Sequence, residues 1–206
     1  MDPPLSSPAE LNGVTLEKLV YLPVSDSFIS HLIRSAYSIT TLPSPFELDD
    51  NDDSVLSLET FVKNLVIYSG SKASDVMGAL VYLSRLRTRI RPTGKKPAYI
   101  THRIILASLI LSSKYLNDHS MRNTDWAKCS IIDHCLCFSP AEVNCLERQM
   151  LHLLDWDLHI TENDLLIELE PFQRPLRDTA YESYVRNYWN TVNSLLGNSL
   201  LIALEE

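Results

Sequence analysis

Glycine is scarce here, with five residues in a chain of 206. No Gly-rich loop that could cradle a phosphate, no Gly-x-Ser-x-Gly turn and no His-Glu-x-x-His pair can be read anywhere, so the familiar catalytic signatures are missing. Long apolar runs are absent too: none approaches the roughly 20 residues that a membrane span requires. Met1 to Glu10 carries Pro and Asp where a signal peptide would carry Lys and a Leu-rich core, and the expectation is a soluble, intracellular protein. Cys129, Cys135, Cys137 and Cys145 contain no Cys-x-x-Cys pair. With His134 they offer the right ligand types for zinc at the wrong spacing. Reduced, small buried thiols are the expected account, Cys145 included, since it falls near the inward stripe of its helix.

What the chain does have is apolar side chains, 45% of the total, enough for a sizeable core in one domain. Its net charge of −8 argues against broad affinity for nucleic acid or anionic lipid. That charge is unevenly spread. Residues 76–117 hold no acid but carry Arg85, Arg87, Arg89, Arg91, Lys95, Lys96, Arg103 and Lys114. This local basic field reads either as a solvated loop between helices or as a contact for an anion or phosphorylated site.

The periodicity is helical throughout. Residues 1–22, with Pro3, Pro4, Pro8 and Gly13, read as a flexible tail. Residues 23–40 read as one amphipathic helix with Phe28, Ile29, Leu32, Ile33, Ala36 and Tyr37 on a stripe and Asp26 and Ser27 in its first turn. Residues 41–55 form an acidic linker: Pro43 and Pro45 break helix, and Asp49, Asp50, Asp52 and Asp53 repel one another. Counted as a calcium loop from Asp49, this run places Ser54 where the sharp turn needs Gly and Thr60 where a bidentate Glu is required, so calcium is not expected.

Further helices are expected at about Leu56 to Tyr68, Ser71 to Ile90 and Ala98 to Leu116, separated by Ser69-Gly70 and by Arg91-Pro92-Thr93-Gly94. From Ile104 to Leu111 every residue but Ser108 is apolar, which predicts a helix with no polar face at the centre of a bundle. A shorter helix is expected near Thr124 to Asp133. The next is well marked: Ser139 as N-cap, Pro140 at the first helical position and Glu142 at the third, with Val143, Leu146, Met150, Leu153 and Leu154 facing inward. Thr161 with Asp164 predicts the cap of a short helix ending before Pro171. From Arg177 onward Tyr181, Tyr184, Val185, Tyr188, Trp189, Val192, Leu195 and Leu196 again keep helical spacing.

Two charges stand on otherwise apolar surfaces: Lys114, within Ser112-Ser113-Lys114-Tyr115-Leu116, and Glu147, within Leu146-Glu147-Arg148-Gln149-Met150-Leu151. Lys114 offers only donors and Glu147 only acceptors, so a pair of this kind can grip a partner's backbone carbonyls and N–H groups. Lys114 also suits a helix C-terminus on its own account. On its own helix Glu147 has Val143, Asn144, Met150 and Leu151 as neighbours and no cation.

These segments resemble the cyclin box. The run from Arg103 through Lys114, together with the stretch from Ala127-Lys128 onward, resembles the Pcl family of fungal cyclins, regulatory subunits of a phosphate-responsive cyclin-dependent kinase. The resemblance spans about Ser71 to Phe172. It implies an all-α fold, a single five-helix cyclin box over residues 56–158, with flanking N- and C-terminal helices, the latter over 159–206. By the same resemblance Lys114, Glu147, Leu111, Tyr115, Leu151, Trp156 and Leu158 would bind the kinase. The chain would catalyse nothing itself and need no cofactor or metal. Its partners would be a cyclin-dependent protein kinase and that kinase's substrates, with no membrane, in nucleus and cytoplasm. Two departures stand out: Ser84 holds a position where many mitotic cyclins place Asp, and Phe61-Val62-Lys63-Asn64-Leu65 replaces the Met-Arg-Ala-Ile-Leu substrate-docking patch. The alternative is a cyclin-fold factor of the transcription machinery that binds nucleic acid, against which the acidic whole argues. Ser7-Pro8 and Ser44-Pro45 read as candidate proline-directed phosphorylation sites.

Overall fold

The structure, a computed structural model, describes residues 16, 19–20, 23–40, 58–90, 99–131 and 138–174. Of the expected flexible tail, Leu16, Leu19 and Val20 are described; they are helical, with Leu16 and Leu19 buried, which corrects the expectation there. The rest of the tail with the Ser7 site, the acidic linker with Ser44 and the helix expected from Arg177 fall outside the described residues. Among the described residues the regular structure is all helix: α1 Asp26–Thr40, α2 Leu58–Ser69, α3 Ala73–Arg89, α4 Ile100–Leu116, α5 Asn123–Cys129, α6 Pro140–Leu153 and α7 Glu162–Glu168. The chain divides into two compact units, Val20–Glu168 and Met1–Leu19 with Leu169–Glu206. In the second, residues 170–174 are helical, and the Leu169 carbonyl accepts from the N–H groups of Phe172 and Gln173. Pro171 falls in that first turn, where its missing N–H costs nothing.

In the larger unit α4 is the central element and packs against α1, α2, α3 and α6. Its Ile105, Leu106, Leu109 and Ile110 are fully buried. Ser108 is buried as well, and its hydroxyl donates to the Ile105 carbonyl at 2.9 Å, so one polar atom in an apolar stretch leaves no unmade bond. α3 comes close to α4 at Gly78, where any Cβ would overlap Ser112 Oγ and press on Leu116 and Ile160. The same two helices are tied at their ends. Asp75, buried in the first turn of α3, accepts from the Lys72 N–H and from Asn117 Nδ2 at the end of α4. α1 is joined to α4 by the Thr40 and Thr101 hydroxyls, 3.1 Å apart.

The local signals operate as expected. Ser139 Oγ accepts from the Glu142 N–H while the Glu142 carboxylate accepts from the Ser139 N–H, with Pro140 opening α6. Thr161 and Asp164 make the same reciprocal pair at the start of α7. Four expectations of the helices need correction. α5 ends at Cys129, short of the expected Asp133: Ser130 and Ile131 are not helical, and residues 132–137 are not described. Leu153 and Cys145 are exposed rather than inward. At the end of α6 the chain tightens, with the Leu154 N–H donating to Met150 O and the Asp155 N–H to His152 O, so Leu154 takes the buried place and Leu153 rolls outward. Cys145 sits one position before the buried Leu146, just off the stripe, whereas Cys129 is buried and its thiol pKa is pushed up by that burial. Tyr37 of the α1 stripe is also exposed.

Candidate partner-binding site

The packing of α4 on α6 brings together the two charges that stood apart in the sequence. Lys114 Nζ lies 2.6 Å from Glu147 Oε1. The second oxygen, Oε2, accepts from Nδ2 of Asn123, the first residue of α5, and the same amide donates to Asn144 Oδ1 at 2.7 Å. Glu147 is thus held from two elements, with 16% of its side chain exposed against 31% for Lys114. Each group keeps capacity: Nζ has further N–H donors and each carboxylate oxygen a further lone pair. A charged pair that is half out of water, oriented by an amide and able to accept and donate again, is suited to engage backbone groups of another chain.

The apolar residues expected beside this pair divide into two sets. Tyr115 is 44% exposed and Trp156 64% exposed, while Leu151 and Leu158 are half-buried. Leu111, at 3% exposed, lies in the core and supports the surface from beneath without lining it. The Tyr82 phenol donates to the Leu158 carbonyl at 3.0 Å, and the Tyr115 phenol helps burial to raise its pKa, so the chain leaving α6 runs beside the end of α4. Leu116 and Leu153 add exposed apolar area that sequence spacing did not single out.

Asn123 was also missed. It approaches Glu147 from a separate helix, and nothing in local spacing marks it. The basic field has a different meaning once folded. Arg85 pairs with Asp157 and Asp164, Arg89 with Asp155 and Asp157, Arg103 with Glu142 and Lys114 with Glu147. Arg103 also lies 5.1 Å over the Phe138 ring. These four cations are engaged by carboxylates, which removes them from the anion-binding reading; Arg87 is exposed, and Arg91, Lys95 and Lys96 fall outside the described residues. In the segment that replaces the substrate-docking patch, Phe61, Val62 and Leu65 are buried. No group of three or more His, Cys, Asp or Glu side chains that could hold a metal occurs among the described residues, and no described helix is long and apolar enough to cross a membrane.

The cyclin family model matches residues 9–158, most of the chain and all of α1 to α6. This chain belongs to the cyclin family. It is similar to PHO85 cyclin-1 of Saccharomyces cerevisiae, 40% identical over 143 residues that make up 68% of this chain and 49% of that protein. It is similar also to PHO85 cyclin-2 of the same yeast, 32% identical over 155 residues, 75% of this chain and 49% of the relative. With Cyclin-U4-1 of Arabidopsis thaliana the identity is 27% over 108 residues, 52% of this chain and 50% of the relative. The cyclin thus spans about half the length of the curated relatives it matches.

Proposed function

We propose that this cyclin binds and activates a cyclin-dependent protein kinase of the kind named in its yeast relatives, the PHO85 type, and helps direct its substrates. The observation that carries the reading is the Lys114–Glu147 pair, braced by Asn123 and flanked by exposed Tyr115 and Trp156. A kinase is active when its αC helix is held inward so that the αC glutamate meets the β3 lysine. Lys114 donates to backbone carbonyls of the kinase and Glu147 accepts from its N–H groups, while Tyr115, Leu151, Trp156 and Leu158 supply the apolar contact. The binding free energy goes into holding the helix, and the chemistry is the kinase's own.

The five helices α2 to α6, within residues 56–158, form the binding box, and the complex works in nucleus and cytoplasm. Phosphorylation of Ser44 or Ser7 marks the chain for turnover. The experiment is a pull-down with a PHO85-type kinase followed by a kinase assay, wild type against the Lys114→Ala, Glu147→Ala double variant. Loss of both binding and stimulation in the variant is the expected result. Full binding and stimulation in the variant would move the interface elsewhere.

A further inference from the structure

The turn after α6 is built against the preferences of its own backbone. Asp155 and Trp156 both sit in the left-handed region, at φ 51° and φ 61°, and neither is glycine. Such a conformation is unfavourable for a residue with a Cβ, and it is unusual for a side chain as bulky as Trp. Burial does not offset the strain, because Trp156 is 64% exposed. The indole makes an edge contact with the His152 ring, centroids 6.0 Å apart.

Backbone bonds hold part of the turn, with the Asp155 N–H donating to His152 O at 3.1 Å, the Trp156 N–H to Leu151 O at 2.9 Å and the Asp157 N–H to Leu154 O at 3.0 Å. A second set of ties comes from one face of α3. Tyr82, Arg85 and Arg89 follow one another at helical spacing and fasten successive points of the chain that leaves α6. Arg85 engages this chain at both ends of its guanidinium. Its Nη1 donates to the Asp157 carbonyl at 2.8 Å and to Asp157 Oδ1 at 3.3 Å, and its Nη2 to the His159 carbonyl at 2.6 Å and to Asp164 Oδ2 at 2.9 Å. Arg89 reaches Asp157 Oδ2 at 3.3 Å and Asp155 Oδ2 at 3.7 Å. Tyr82 holds the Leu158 carbonyl. A planar guanidinium can serve two carbonyls and two carboxylates at once in fixed geometry, which an ammonium cannot.

We propose that Arg85 is a positioning residue for partner binding: by fastening Asp157 and His159 it keeps the strained turn closed, so that Trp156 is presented as a preset anchor for the kinase. The inference rests on the kinase-binding reading above. Its physical content is preorganisation, since an anchor already fixed in its bound conformation loses less freedom on association. Without the clasp, the backbone bonds alone restrain the left-handed residues, and the indole samples more positions.

The test is a set of dissociation constants for the full chain with a PHO85-type kinase, measured for wild type, Arg85→Gln, Trp156→Ala and the double variant, with Lys114→Ala, Glu147→Ala beside them. Arg85→Gln is expected to weaken binding about tenfold, equivalent to fixing one large side chain. In a Trp156→Ala background the same substitution should change little, because Arg85 acts through the indole; a structural role would leave its effect undiminished. Arg85→Lys should fall between wild type and Gln. Arg89→Gln, put through the same cycle, covers the case in which Arg85→Gln does not fold, as judged by thermal unfolding.

Binding by Arg85→Gln equal to wild type, with the Lys114, Glu147 variant impaired, overturns the proposal and leaves the kinase-binding reading standing. Additive losses in the cycle also overturn it. A wild-type chain that does not bind removes the reading itself, and the proposal with it.

Discussion

Glu147 is held by two donors and Lys114 by one acceptor, and this asymmetry sets the cost of removing either. Glu147→Ala leaves the Lys114 ammonium without its carboxylate at 2.6 Å and also leaves the Asn123 amide without the acceptor on its second N–H. Lys114→Ala removes only the ion pair, for Glu147 still accepts from Asn123. With the two side chains 31% and 16% exposed, the pair falls between surface and buried cases and is worth about 1–2 kcal/mol. The Asn123 bond adds about 1 kcal/mol. The expected order of destabilisation in the free protein is therefore Glu147→Ala at about 2–3 kcal/mol, then Lys114→Ala at about 1–2 kcal/mol. The double variant should cost less than the sum by the coupling between them. Urea unfolding of the four proteins, followed by circular dichroism, gives each free energy from its midpoint and slope. The salt dependence of the coupling should be shallow, because a half-buried pair is screened less than an exposed one. Strict additivity would refute the reasoning, and so would Lys114→Ala proving the more damaging of the two.

Gly78→Val should destabilise the chain by about 1–3 kcal/mol in thermal unfolding, since the α3–α4 contact has no room for a side chain beside Ser112, Leu116 and Ile160. Ser139→Ala should cost about 1 kcal/mol by the same measurement, as the α6 N-cap loses its acceptor. Acid should weaken the fold through two capping carboxylates. Glu142 lies below its usual value because the Ser139 N–H and hydroxyl donate to it; Asp164 is pushed up by burial but brought below its usual value by Thr161 and Arg85. Both pKa values are depressed on folding, so their contribution is complete above the unfolded values, 4.5 for Glu142 and 3.8 for Asp164, and is lost as pH falls through the lower folded ones. The urea midpoint should therefore fall with decreasing pH across that window, and Thr161→Ala should reduce the slope; a slope unchanged by Thr161→Ala would count against the assignment of Asp164.

The features that could be read from the sequence are those whose causes lie within a turn or two of chain. Ser139, Pro140 and Glu142 mark the start of α6, Thr161 and Asp164 that of α7, and the unbroken apolar run marks α4 as the central helix, because capping and amphipathicity depend on near neighbours. The motif likeness was enough to place Lys114 and Glu147 as a pair. It could not show that they bond to each other, nor that Asn123 completes the set, since three helices meet there only after packing. Arg85 and Arg89 of α3 looked like part of an uncommitted basic surface for the same reason: the carboxylates that engage them belong to the distant exit from α6. Helical spacing likewise put Leu153 on the wrong side of the boundary between core and surface, because a stripe is wider than the contact it makes and its edge depends on what lies opposite.

The absence of a polar face along the middle of α4 has a consequence for how defects in this cyclin will present themselves. A helix that is greeted by hydrocarbon on all sides can show a charge only where it emerges, and Lys114 occupies that emerging turn. Its height and heading relative to Glu147 are therefore dictated by the seating of Ile105, Leu109 and Ile110 in the interior. A genetic selection for chains that accumulate normally yet no longer engage their partner should return conservative changes at those hidden positions alongside changes at the two charges, and the interior of the protein will map, in such a screen, as part of its recognition surface.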